Sequence, residues 1–176
     1  MTTSSIKIVS FAYFDHSFTK RIASAVGLEF NTGVQIKEGH LDISEYYDAP
    51  RRQYKGNELL QSVETNFSDE THKTIGLFNV DLFIPILTYI FGQAYLGGNS
   101  AIASAYRLSN ARYGMKEDFE LLLERMTKEV IHELGHNHGL IHCHIPGCVM
   151  ASSTYVEDID QKSSKFCGKC RDSVTR

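Results

Sequence analysis

HELGHNHGLIHCHIPGCVM, residues 132–150, is the stretch on which the reading of this chain turns. It holds five of the eight histidines and two of the four cysteines in 176 residues. His132 and His136 are four residues apart, so on a helix their rings project from one face a turn apart, the geometry by which two imidazoles reach one zinc ion. Glu133 leaves the helix about 100° around from His132, beside the metal and free to act as a base on metal-bound water. Gly139, lacking a Cβ, can end the helix in a left-handed turn, and that turn delivers His142 as a third ligand. The chain's own residue frequencies give about 0.02 expected HExxH matches over its length, and demanding Gly139 and His142 as well lowers this to roughly one in ten thousand. His138 and His144 match no position of the pattern and read as surface or supporting histidines.

Around that stretch the composition describes one domain, 1–176. The chain is 42% hydrophobic, long enough for one substantial core and short for two. An N-terminal subdomain of about 1–139 and a C-terminal one of about 140–176 are expected within it. A net charge of −3 offers no electrostatic reason for a nucleic-acid partner. No run of about 20 apolar residues occurs, and MTTSSIKIVS lacks the charged start and apolar core of a signal peptide. The expectation is a cytoplasmic monomer that engages no membrane. In a reducing compartment, Cys143-x4-Cys148 followed by Cys167-x2-Cys170 reads as a closed thiolate site for structural zinc, ahead of two disulfides or unconnected thiols. Two zinc ions per chain follow, and Cys143, next to His142, would let one site prop the other.

In chain order, residues 5–13 read as a buried strand, and a helix capped by Ser17 carries Phe18, Ile22, Ala25 and Val26 until Gly27 stops it. Residues 33–38 alternate as a second strand. Asp42–Lys55 reads as a loop whose Arg51 and Arg52 are solvated surface charge rather than a carboxylate site. Asn57 caps a helix with Leu59, Leu60, Val63 and Phe67 on one face. Strands follow at 74–80, 89–95 (YIFGQAY) and 101–108, the last two separated by the turn signal Gly97-Gly98-Asn99. Residues 117–138 form the longest helical pattern. Its apolar stripe of Phe119, Leu122, Leu123, Met126, Val130 and Leu134 lies well over 100° from the histidines, so the stripe buries and the histidines face an open cleft. The basic tail, Lys162, Lys165, Lys169 and Arg171, reads as a solvated helix face. The fold class is therefore α/β: a twisted, mostly parallel sheet with one antiparallel edge strand, packed helices, a long zinc-binding helix and a small irregular C-terminal subdomain.

HExxHxxGxxH followed by Met150 resembles the metzincin clan of zinc peptidases. The continuation, Cys143 after His142, then Cys148-x-Met150, then Cys167-x-x-Cys170, resembles the archaemetzincins, as does Arg52-Gln53-Tyr54. Sixteen residues separate Met150 from Cys167, one fewer than the family spacing. The resemblance implies a metallopeptidase in which Met150 forms a turn under the metal without ligating it. Some metzincins bring a tyrosine to the metal two residues past that methionine; here the position is Ser152 and Tyr155 is out of register, so no tyrosine ligand carries over. It also implies that the edge strand, Tyr89, Ile90, Phe91, Gly92, Gln93, Ala94 and Tyr95, holds a peptide or protein substrate as an added strand. Gly92 admits either close approach of that peptide or a bulge. The expected reaction is peptide-bond hydrolysis with Glu133 as base. A zinc-binding protein of weak turnover acting as an interaction module is the alternative, against which the intact Glu133 weighs. A nucleic-acid binder built on the cysteines is the remaining class, and salt-dependent retention on DNA or RNA would reveal it.

Overall fold

The computed structural model describes residues 5–174; residues 1–4, part of the stretch read above for a signal peptide, lie outside them. In chain order come β1 (Ser5–Ser10), α1 (His16–Phe30), β2 (Val34–Glu38), β3 (Tyr47–Asp48), β4 (Gln53–Lys55), α2 (Gly56–Phe67), β5 (His72–Phe78), β6 (Leu82–Ile84), β7 (Leu87–Ile90), β8 (Gly92–Ala94), β9 (Ser100–Ser104), α3 (Phe119–Asn137), α4 (Val156–Gln161) and α5 (Gly168–Val174). Five strands form a sheet in the order β2-β1-β5-β9-β8, parallel except for β8, which runs antiparallel to β9 at the edge. The expected mixed α/β fold is there. β1, β5 and β9 are buried along nearly their whole length because helices cover both faces of the sheet. Ile6, Ile8, Ile75, Leu77, Ala101 and Ala103 pack with α1 and α3, and Phe78 and Ile102 pack with Leu59, Leu60 and Val63 of α2.

A second sheet was not foreseen. β3, β4, β6 and β7 make a four-stranded sheet, so Asp42–Lys55 is not simply a loop. Its strands are two to four residues long, too short to show a period, and β4 finds its parallel partner β6 about 30 residues away in sequence. Arg51 is exposed, as expected, and its guanidinium also lies 3.9 Å over the Phe83 ring and donates to the Leu87 carbonyl at 2.9 Å. The Gln53 amide donates to the Thr88 carbonyl at 2.9 Å, which binds the Arg52-Gln53-Tyr54 segment to β7. The run 89–95 is likewise two strands. At Phe91, buried and bent, the chain leaves the second sheet as β7 and joins the first as β8.

Several boundaries move for local reasons. Asp15, not Ser17, caps α1, accepting from the Ser17 N–H at 2.8 Å. The helix runs through Gly27 to Asn31, which takes the left-handed conformation at φ 50° and donates its N–H to the Gly27 carbonyl. α2 begins directly from β4 without a side-chain cap, and Asn57 instead accepts from the Gln93 amide at 2.6 Å. β1 ends at Ser10, whose hydroxyl donates to the Ala12 carbonyl. β9 ends at Ser104, whose hydroxyl is bound to the Val80 backbone.

α3 is buried on most of its circumference, not on one stripe. Leu123, Met126, Val130 and Leu134 enter the core as expected, whereas Phe119 stays 45% exposed. The other faces bury charge. Arg125 is anchored bidentately to Asp160 of α4 at 2.7 Å per bond and donates to the Leu108 carbonyl and Asn110. In the tail, Lys162 is buried and donates to the Ala151 carbonyl at 2.9 Å. Arg171 pairs with Glu29 of α1, whose carboxylate also accepts the Phe166 N–H at 2.7 Å. Lys162 is therefore an interior anchor and Arg171 a half-buried one, not parts of a solvated face: Ala151 lies 11 residues back and Glu29 on α1, so nothing local marked them.

At the end of α3, the buried Asn137 amide donates to the Tyr95 and Ser100 carbonyls at 3.0 and 2.8 Å, and the Gly97 N–H donates to the His136 carbonyl at 2.8 Å. These bonds pin the β8–β9 hairpin to the helix. Asn137→Ala should lower unfolding free energy by about 2 kcal/mol, since two hydrogen bonds from helix to hairpin are lost, while the Tyr95 and Ser100 carbonyls keep only their backbone donors, the Gly98 and Tyr95 N–H groups. Urea denaturation checks it, and a change below about 0.5 kcal/mol would contradict the anchor.

Candidate metal centres and cleft

His132 and His136 present their rings from consecutive turns of α3. The Nδ1 of His132 donates to the Val149 carbonyl at 2.8 Å, and that of His136 to the Leu140 carbonyl at 2.7 Å. Since a carbonyl accepts only from a protonated nitrogen, each Nε2 is left with a lone pair. These two Nε2 atoms are 3.1 Å apart, an opposition of lone pairs that a cation between them relieves. Two ligands on a tetrahedral zinc are separated by about 3.3 Å. Gly139 takes φ 84° and its N–H closes on the His136 carbonyl at 2.9 Å, the left-handed turn that returns the chain. His142 follows, exposed, and the ligand atoms of all three histidines lie within 4.8 Å of one another. Burial lowers the pKa of each of the three below the ordinary imidazole value, most for His132, which keeps them in the neutral form that ligates.

Met150 is fully buried against the back of the helix. A Cβ on Gly135 would meet its Sδ at 2.4 Å, so the contact requires glycine there. His138 donates to the Leu134 carbonyl at 2.8 Å and packs at a tilt against Phe30, outside the histidine cluster, and His144 is exposed.

The four cysteines come together from 24 and 22 residues apart: Cys143 Sγ is 3.8 Å from Cys167 Sγ, and Cys148 Sγ is 3.8 Å from Cys170 Sγ. None is disulfide-bonded. Zinc–sulfur bonds of about 2.3 Å in a tetrahedron set sulfurs about 3.8 Å apart, so the quartet has the dimensions of a closed thiolate site. Backbone N–H groups of Ile145 and Cys167 point at Cys143 and Cys148 sulfurs at 3.4 Å, a polarity suited to thiolate. The Cys170 backbone holds the Cys167 thiol down to about 7, and burial pushes Cys170 up.

A cleft of about 680 Å³ runs past the histidines. Its floor is α3, with Glu129, His132, Glu133 and His136; one wall is Leu87–Ala94 and the other is Ser152–Tyr155. The Tyr89 hydroxyl joins the walls, donating to the Thr154 carbonyl at 2.7 Å. Tyr95 lies off the cleft; its N–H pairs with Ser100. Glu133 and His132 are buried, so the histidines do not all stand in the open as expected: only His142 is exposed. A Cβ at Gly92 would lie 2.8 Å from Glu133 Oε1 and 2.7 Å from the Ile102 carbonyl. The close neighbour Gly92 admits is thus the Glu133 carboxylate, and no bulge interrupts the β8–β9 register. Burial raises the Glu133 pKa well above the carboxylate range, and Glu129 adds to it.

Glu129 and Lys162 were missed by sequence reasoning. Glu129 stands four residues before Glu133, hence on the same helical face, which was a usable signal. Lys162 has no such signal.

The family model for peptidase family M54 matches residues 21–176. An archaemetzincin from Pyrococcus horikoshii is 40% identical over 143 residues, covering 78% of this chain and 76% of that protein. One from Saccharolobus solfataricus is 34% identical, covering 100% and 96%. Among solved structures, a zinc-dependent peptidase from Methanocorpusculum labreanum superposes with TM-score 0.87 at 26% identity, covering 97% of this chain and 100% of that one. The archaemetzincin of Methanopyrus kandleri superposes with TM-score 0.85 at 34% identity, covering 98% and 95%. The described residues contain no helix long and apolar enough to cross a membrane. With the family model spanning most of its length, the chain belongs to peptidase family M54, the archaemetzincins, and is a zinc metalloprotease.

Proposed function

We propose that this protein hydrolyses peptide bonds at the cleft, with His132, His136 and His142 holding a catalytic zinc and Glu133 serving as general base. The observation that carries the reading is the pair of facing Nε2 lone pairs beside the Glu133 carboxylate in one cleft. Zinc held there supplies Lewis-acid polarisation of the scissile carbonyl and acidifies water toward a pKa of about 7. Glu133 takes the proton of the attacking water and passes it to the leaving amine, so one carboxylate serves both halves of the reaction. Its raised pKa suits a group that must both take and give a proton near neutrality.

Substrate binding follows from the edge strand. The Tyr95 N–H bonds to the Ser100 carbonyl and the Ser104 N–H to the Phe91 carbonyl, so Phe91 and Tyr95 face β9. By antiparallel alternation Gly92 and Ala94 turn their N–H and C=O groups to the open edge. A peptide adding there as a strand is bound through its backbone, with limited demand on its sequence. Cys143, Cys148, Cys167 and Cys170 hold the second, structural zinc. The part of the single domain after about residue 139 then exists to carry Met150, His142 and this cysteine site.

Metal analysis should find two zinc ions per chain, falling to about one in Cys170→Ser with a sharp loss of stability, because a closed thiolate site contributes to folding directly. One ion in wild type, unaffected by that substitution, would remove the second site. Glu133→Ala should keep both ions and lower kcat on a long peptide by about 10²–10⁴-fold; wild-type turnover would exclude Glu133 as base. Ala94→Pro removes an outward donor, and should raise KM about tenfold with zinc content unchanged; unaltered hydrolysis by the folded variant would place substrate elsewhere.

A further inference from the structure

Three charged side chains are buried together at the floor of the cleft: Glu129 and Glu133 at 4% exposure and Lys162 at 5%. Glu129 and Glu133 rise from consecutive turns of α3, neighbours on one helical face that both line the same cleft. On its other side Glu133 is stopped by the β8 backbone at Gly92, where even a methyl group would collide with Oε1. Lys162 reaches the same place from beyond α4. Its ammonium donates to the Ala151 carbonyl at 2.9 Å, lies 3.4 Å from His132 Nδ1, and is attracted by both carboxylates. The His132 Nδ1 proton is already given to Val149, so Lys162 is a neighbouring cation and not a partner of the imidazole. Burying two carboxylates is strongly unfavourable without a compensating cation. Apolar residues would fill this floor more stably, so stability does not account for the arrangement.

We propose that Glu129 is the positioning residue for Glu133, holding its carboxylate between helix and edge strand, and that Lys162 is the cation that allows the two acids to be buried there. The proposal rests on Glu133 being the general base. A base held from two sides is preorganised, and a displacement of about 1 Å can lower turnover about 10²-fold. Lys162 also ties the chain after Met150 to this group, so the wall beginning at Ser152 is fixed relative to the base.

The test is a cycle of variants read by turnover and by calorimetric binding of acetohydroxamate, a zinc-directed probe that offers an N–H and an acidic O–H to a carboxylate base. Glu129→Asp keeps the charge and withdraws the carboxyl by one methylene; Glu129→Leu removes it. Each should lower kcat on a long peptide by about 10–100-fold with KM within about twofold and zinc content unchanged. Each should also weaken acetohydroxamate several-fold. Glu129→Gln, which keeps shape and hydrogen bonding, should stay within about threefold of wild type, and Lys162→Met should lower kcat as Glu129→Leu does. In a Glu133→Ala background the Glu129 substitutions should add nothing, because a residue acting through Glu133 has nothing left to position. Equal losses with and without Glu133, unchanged hydroxamate affinity in Glu129→Asp, or an effect confined to KM would each overturn the proposal. Failure of the general-base reading is separate: it would appear as wild-type turnover in Glu133→Ala itself. Should Glu129→Leu not fold, Glu129→Asp, which retains the charge balance, gives the same readings.

Discussion

Two ring nitrogens with their lone pairs turned on each other at 3.1 Å are unfavourable in any protein that leaves nothing between them. Most of the architecture around α3 can be understood as holding that opposition in place. The tautomers are set by carbonyls of Leu140 and Val149, both in the irregular segment after the helix. That segment is itself held: the Cys143 N–H bonds to the Met150 carbonyl and the Val149 N–H to the Lys165 carbonyl. The cysteine quartet closes around it, and Glu29 of α1 grips both the Phe166 backbone and Arg171. Helix α1, far from the cleft, thus takes part in aiming a histidine.

The same helix end sets the other wall. Asn137, between His136 and His138, pins the hairpin that carries β8, and Gly97 bonds to His136's own carbonyl. A single turn of helix therefore orients the His136 ring on one side and the strand edge on the other. Because both are referenced to the same backbone, the distance from the His136 ring to the β8 edge is a property of covalent geometry and a few buried hydrogen bonds. It does not depend on how two mobile parts dock. Phe91 contributes the complementary constraint. By turning the chain from one sheet to the other it leaves Gly92–Ala94 as a short edge directly above Glu133, and confines β7, with its Leu87 and Thr88 carbonyls engaged by Arg51 and Gln53, to the rim.

The floor of the cleft shows where stability yields to function. Arg125 with Asp160, and Glu29 with Arg171, are opposite charges in direct contact. Glu129, Glu133 and Lys162 are two acids and one base with a looser arrangement, in a region where hydrocarbon would pack better. Local rules are broken there and obeyed nearly everywhere else in the chain, the pattern expected of a site under a chemical requirement.

From the sequence alone, the HExxHxxGxxH spacing was sufficient to bring His132, His136, Glu133 and His142 together, because helical periodicity and one left-handed turn at Gly139 are local properties of the backbone. The thiolate quartet was legible from spacing and the chemistry of cysteine, and the parallel sheet from its apolar runs. The second sheet, the break at Phe91, the burial of Lys162 and the anchoring of Asn137, Arg125 and Glu29 were decided only in three dimensions. Each of them pairs groups 15 or more residues apart, such as Lys162 with His132, Glu29 with Arg171, or β4 with β6. A lysine after a short polar helix has the same local signature whether it ends in water or under a cleft; only the carboxylates brought in by another helix make its burial favourable.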